Sequence, residues 1–104
     1  MAEVRWTLTA SADLESIETF IAVDSVLHAV HFVDRLVAST EKLAASPRVG
    51  RVVPEFRRDD LREVFFRGYR IVYRVDGAAV TILRVVHGAR DLQGLAGREP
   101  WEFQ

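Results

Sequence analysis

Apolar residues recur along this 104-residue chain with two different periods, and the change between them divides it. Val4-Arg5-Trp6-Thr7-Leu8 alternates in the manner of a short strand, and Thr9-Ala10-Ser11 then offers an N-cap. Leu14, Ile17 and Ile21 follow at helical spacing, with Asp13, Glu15 and Glu18 near the helix start, where the positive end of the dipole favours acids. Asp24-Ser25 breaks this helix and caps a second, predicted from Val26 to about Ser46. Its Ala29, Val33, Leu36 and Leu43 share one stripe with Phe32 and Val37. Pro47 ends it, because the residue before a proline avoids the helical region. Beyond Pro47 the period falls to two. Leu61 to Phe66, Tyr69 to Val75 and Ala79 to His87 read as strands, with turn signals at Arg67-Gly68 and Asp76-Gly77. The expected fold class is therefore α+β: an N-terminal strand, a two-helix hairpin, then a three-stranded antiparallel meander packed on the helices, with the first strand at its edge.

Alternation also assigns the faces. Val64 and Phe66, then Tyr69, Ile71, Tyr73 and Val75, then Leu83 and Val85, form one apolar side for the helices. The other side presents Glu63 and Phe65, Arg70, Val72 and Arg74, and Ile82, Arg84 and Val86. No further long helix follows to cover it, so the pattern predicts an open face of apolar residues studded with arginine.

Composition narrows the chemistry. With 49% hydrophobic and 28% charged residues the chain is neither disordered nor a membrane span, and its length fits one domain. The opening Met-Ala-Glu-Val-Arg-Trp has no apolar h-region or cleavage site, so the expected location is cytoplasmic and no membrane partner is expected. Without cysteine there is no disulfide framework, thiolate metal site or Cys nucleophile. The net charge of −1 conceals a polarity: residues 1–47 sum to −4, residues 48–90 to +5 and residues 91–104 to −2. All the cations of the middle stretch are arginines, whose planar fork suits carboxylates and phosphates. His28 and His31 stand i,i+3 on the second helix without a spaced acidic partner and read as a solvated face, so no metal is expected. The glycines are scattered turn residues that form no phosphate-cradling loop, and no cofactor is expected.

The segments Ala12-Asp13-Leu14 with Ile17, Pro47, Gly50-Arg51, Pro54-Glu55, Leu61-Arg62, Tyr69-Arg70-Ile71-Val72-Tyr73-Arg74 and above all Ile82-Leu83-Arg84-Val85-Val86-His87-Gly88-Ala89-Arg90-Asp91-Leu92 resemble the RelE/ParE superfamily of type II toxins. The likeness spans roughly residues 4 to 92. It implies a single toxin domain over residues 1–92, a C-terminal tail over 93–104 carrying Trp101 and Phe103, and a cognate antitoxin as partner. ParE-like members inhibit DNA gyrase, and RelE-like members cut messenger RNA on the ribosome. A third reading is a non-toxic protein-binding adaptor.

An RNA-cleaving member needs a base for the 2′-hydroxyl, cations for the phosphorane and an acid for the leaving oxygen. Arg62, Arg84, His87 and Arg90 are the candidates for such work, with Glu55 or Glu63 as base. Yet the one lysine, Lys42, lies on a helix, whereas ribonuclease members of the family commonly place lysines on the sheet. The sequence therefore favours a ParE-like toxin that inhibits gyrase by binding, and keeps the ribosome and messenger RNA as the alternative target. For the antitoxin site it selects the open face: Arg70, Val72, Arg74, Ile82, Arg84 and Val86.

Overall fold

Thr7 is both the end of one element and the start of the next. In the computed structural model, which describes residues 2–89 and 92, β1 (Glu3–Trp6) leaves the sheet where the Thr7 N–H donates to the Ile82 carbonyl. The Thr7 hydroxyl then accepts from the Ala10 N–H at 3.0 Å and donates to the Leu83 carbonyl at 3.1 Å. The cap therefore sits two residues before the expected one, and α1 runs Leu8–Ala22. Ser25 caps α2 (Val26–Ser39) by accepting from the His28 N–H. The second helix stops earlier than its hydrophobic stripe. The Ser39 and Thr40 hydroxyls donate back to the Leu36 and Val37 carbonyls, and a short α3 (Lys42–Ala45) resumes the path to Pro47.

The sheet has five strands in the order β1-β5-β4-β3-β2, with β2 at Arg51–Val52, β3 at Leu61–Phe66, β4 at Tyr69–Asp76 and β5 at Ala79–His87. The predicted meander is present. Arg67 and Gly68 both take positive φ, 45° and 87°, as a two-residue hairpin of the primed kind requires. β1 joins the edge of the meander as expected, but it lies parallel to β5, so the sheet as a whole is mixed rather than antiparallel. Only a tight hairpin forces strands antiparallel, and β1 reaches the sheet through the helices instead.

A β-bulge alters the faces. Val72 pairs with Arg84 but Tyr73 pairs with Ile82, leaving Leu83 as an extra residue on β5. Ile82 and Leu83 thus exchange the sides that strict alternation assigns them. Ile82 joins Val64, Ile71, Tyr73, Val80 and Val85 beneath Ala10, Ile17, Leu36 and Leu43 of the helices. Leu83 joins a second cluster on the outer face, with Val53, Leu61, Val72, Val86 and Leu92, and Phe56 packed against it. The predicted open face is therefore covered by the chain itself. Single apolar residues from the 53–60 loop and from Leu92 cap it, and such isolated residues carry no period that a sequence pattern could register.

Gly50 ties the segment after Pro47 to the sheet. Its N–H donates to the Tyr73 hydroxyl at 3.0 Å, which itself donates to the Pro47 carbonyl at 2.7 Å. A Cβ at Gly50 would lie 2.5 Å from the Glu63 carbonyl oxygen and 2.6 Å from the Tyr73 hydroxyl. Gly50→Ala is accordingly expected to destabilise the fold by roughly 1–3 kcal/mol. A shift in the urea midpoint with unchanged slope would show it, and an unshifted midpoint would refute the close approach.

Candidate functional site

The arginines that distinguish the sequence are, in the structure, largely engaged by the chain's own acids. Glu63 on β3 has a fully buried side chain and receives Arg51 Nε on Oε2 and Arg70 Nε on Oε1, both at 2.6 Å. The remaining fork of Arg70 grips Glu55 of the loop through two parallel bonds of 2.7 and 2.8 Å. Hydrogen bonding from Arg70 holds the Glu55 carboxyl below the usual carboxylate range, aided by a backbone hydrogen bond from Leu92. Glu55 and Glu63 in turn raise Arg70 above the ordinary arginine range against the opposing effect of burial. On the far edge, where β1 has ended, Arg84 pairs with Asp13 of α1 at 2.9 and 3.1 Å. Asp13 also accepts from the Val85 N–H at 2.8 Å.

These contacts decide what the predicted site residues can do. Arg70, Val72, Ile82, Arg84 and Val86 are all buried, so they do not form an exposed docking face. Arg70, Val72 and Val86 do share the outer side, with Arg70 opposite Val86, whereas Ile82 points to the helices and Arg84 reaches round the sheet edge to Asp13. Arg74 alone of the six is half-exposed.

The ribonuclease candidates are not gathered either. Arg62 spends all three guanidinium nitrogens on the loop: Nε on the Asp59 carbonyl, Nη1 on the Gly50 and Arg48 carbonyls, Nη2 on the Asp59 carboxylate. His87 is exposed, its ring edge-on to Tyr69 at 5.9 Å and its Nδ1 accepting from the Ala89 N–H at 3.3 Å. Arg62 is opposite Tyr73 and His87 is opposite Tyr69, so their positions are four residues, or roughly 13 Å, apart along β4. Arg90, Trp101 and Phe103 lie outside the described residues. Among the described residues no three His, Asp or Glu side chains stand together as a metal site, and no helix is long and apolar enough to cross a membrane.

What sequence reasoning missed lies on the helices. Phe20 and Val23 at the end of α1, and Val26, Leu27 and Val30 at the start of α2, are all exposed, Phe20 by 74% and Val23 by 83%. They form an apolar crest at the bend of the hairpin, outside the stripe that packs on the sheet. A signal was present: Phe20, Val23, Val26, Leu27 and Val30 are apolar residues gathered on either side of the Asp24-Ser25 break and off the core stripe. Contiguous exposed apolar area of this kind marks a protein contact.

The sequence family described as the ParE toxin of the type II toxin-antitoxin system parDE matches residues 4–92. A curated relative, Toxin RelE2 of Caulobacter vibrioides, is 38% identical over 91 residues, spanning 86% of this chain and 99% of that protein. Among solved structures, the chromosomal ParDE system of P. aeruginosa superposes with a TM-score of 0.71 at 23% identity, covering 84% of this chain and 96% of that one. The toxin-antitoxin complex RelBE2 of Mycobacterium tuberculosis gives 0.53 at 31% identity, covering 83% and 96%. The family match thus extends from β1 through the meander to Leu92, over the same elements that build the two clusters, and the chain belongs to the ParE toxins of type II toxin-antitoxin systems, within the RelE/ParE superfamily.

Proposed function

We propose that this toxin acts in the cytoplasm by binding DNA gyrase through the apolar crest of its helical hairpin, without a catalytic step of its own, and that a cognate antitoxin neutralises it. The crest is the observation that supports this reading, since five large apolar side chains in water are favourable only if a partner covers them. The ion pairing of the sheet points the same way. To meet a scissile phosphate, Arg62 and Arg84 would first have to release the Asp59 and Asp13 carboxylates. Antitoxin partnership is consistent with both structural neighbours, which are toxin-antitoxin assemblies.

A Phe20→Asp, Leu27→Asp double variant tests the crest. Two apolar anchors at the centre of a contact are expected to carry about 2 kcal/mol each, so inhibition of supercoiling by the purified toxin should weaken by about 10³-fold while thermal unfolding stays as in the wild type. Full inhibition by the double variant would move the gyrase contact elsewhere. The second reading, a ribosome-dependent endoribonuclease, is favoured by the name of the 38% identical relative. It requires induced cells to show cleaved ribosome-bound messages with supercoiling intact, and Arg84→Ala or His87→Ala to lower cleavage by ~10²-fold or more.

A further inference from the structure

Among the described residues, one arginine of the sheet is left over. Arg51, Arg62, Arg70 and Arg84 each donate to a carboxylate of the chain, but Arg74 on β4 is in no such pair, and its buried Nε meets no acceptor among the described residues. Its surroundings are defined by register. Arg74 lies opposite Thr81 of β5, and Thr81 opposite Arg5 of β1, so the three form one row on the outer face. Adjacent strands are about 4.8 Å apart, which puts the two arginines about 10 Å apart with the threonine hydroxyl between them. Arg74 and Thr81 are half-exposed, and the Arg5 side chain is 59% exposed with a single bond of 3.0 Å to Glu3.

From this row we infer a carboxylate-binding site: Arg74, flanked by Thr81 and Arg5, receives a single Asp or Glu side chain of the antitoxin. The chain shows what this face does with a guanidinium. It meets Arg70 with Glu55 and Glu63, and both bring their oxygens to within 2.6 to 2.8 Å. The half-exposed guanidinium of Arg74 can offer its terminal nitrogens to such a carboxylate, a charge-assisted pair of the kind Arg70 already makes with Glu55. The neighbouring row distinguishes a protein acid from a nucleic acid. Glu3 and Asp76 both lie opposite Ala79, so two fixed negative charges border the site. One carboxylate can sit over Arg74 and Thr81 without meeting them, and they disfavour a longer run of phosphates beside it.

The inference rests on the antitoxin partnership and not on the gyrase target. Its test is the affinity of the purified toxin for the product of the adjacent reading frame, by titration calorimetry at two salt concentrations, beside thermal unfolding of the free toxin. Arg74→Glu is expected to weaken binding tenfold to hundredfold, less at high salt, and one Asp or Glu to Arg change in the antitoxin should restore it. Arg74→Met, which removes the unpartnered N–H, should leave the free toxin's melting temperature unchanged or raised while weakening binding similarly, so the result does not depend on the charge reversal folding. Wild-type affinity in both variants would overturn the site, as would a loss that no antitoxin substitution restores. A toxin that does not bind the adjacent product removes the partner and the site with it. Tight, steeply salt-dependent binding of single-stranded RNA or duplex DNA that Arg74→Met abolishes would overturn it in favour of a polyanion. Supercoiling is not read here, so failure of the gyrase reading leaves this outcome unaffected.

Discussion

Ile82→Asp will not fold. Ile82 is fully buried between Trp6 of β1 and Tyr73 of β4, on the side that faces the helices. A carboxylate there has no partner, and its burial opposes folding by several kcal/mol, a large part of the ~5–15 kcal/mol that holds a small domain together. Strict alternation along β5 predicts the reverse, because it places Ile82 on an open outer face where the substitution would be harmless. Ile71→Asp, on the same inner side by both readings, should fail equally, and Ile82→Val should cost only about 0.5–1.5 kcal/mol. Soluble yield, far-ultraviolet dichroism and a cooperative denaturation curve decide the matter. A cooperative Ile82→Asp variant close to wild-type stability would mean that β5 has no bulge at Leu83.

Arg70→Ala is expected to lower stability by about 3–5 kcal/mol, because it leaves Glu63 in its buried position with only Arg51 beside it and frees Glu55 from the loop's clamp. Exchanging both buried partners for apolar residues of similar size, Glu63→Leu with Arg70→Met, should recover much of the loss, since neither charge is then stranded. The pH dependence has a definite sign. A carboxyl held below its unfolded value stabilises the fold above the ordinary carboxylate range and loses that contribution as pH falls through its depressed value. Glu55 is such a group. The gap between wild type and Arg70→Ala should therefore be widest at neutral pH and narrow below about pH 4. Urea midpoints at pH 7 and pH 3 test this, and a gap that widens in acid would contradict the pairing.

Local chemistry was enough for β1, the helical hairpin and the three strands of the meander, in their order, though not for the short α3 and β2. The stripe of Ala29, Leu36 and Leu43 is buried as its spacing requires, and Arg67-Gly68 turns the chain with two positive φ values as the dipeptide promises. The inner sides of β3 and β4 also follow from alternation, because both strands are regular over Val64, Phe66, Tyr69, Ile71 and Tyr73. These features depend on residues within a few positions of one another, and the polypeptide's own periods record them.

Tertiary structure decided the rest. Whether Leu83 is paired or bulged depends on how β5 meets β4 and β1 together, and one extra residue leaves no mark on composition while it reverses the sides of Ile82 and Leu83. The direction of β1 is set by a helical crossing and not by a turn. The arginines are the clearest case. Arg84 meets Asp13 from 71 positions away and Arg70 meets Glu55 from 15, so charge counted along the chain showed a basic region but not which carboxylates had already neutralised it. A guanidinium looks alike in sequence whether it is clamped by two acids or awaits a partner's. Only the packed fold separates Arg70 from Arg74, because ion pairing is fixed by distances of a few ångströms between groups that the chain brings together last.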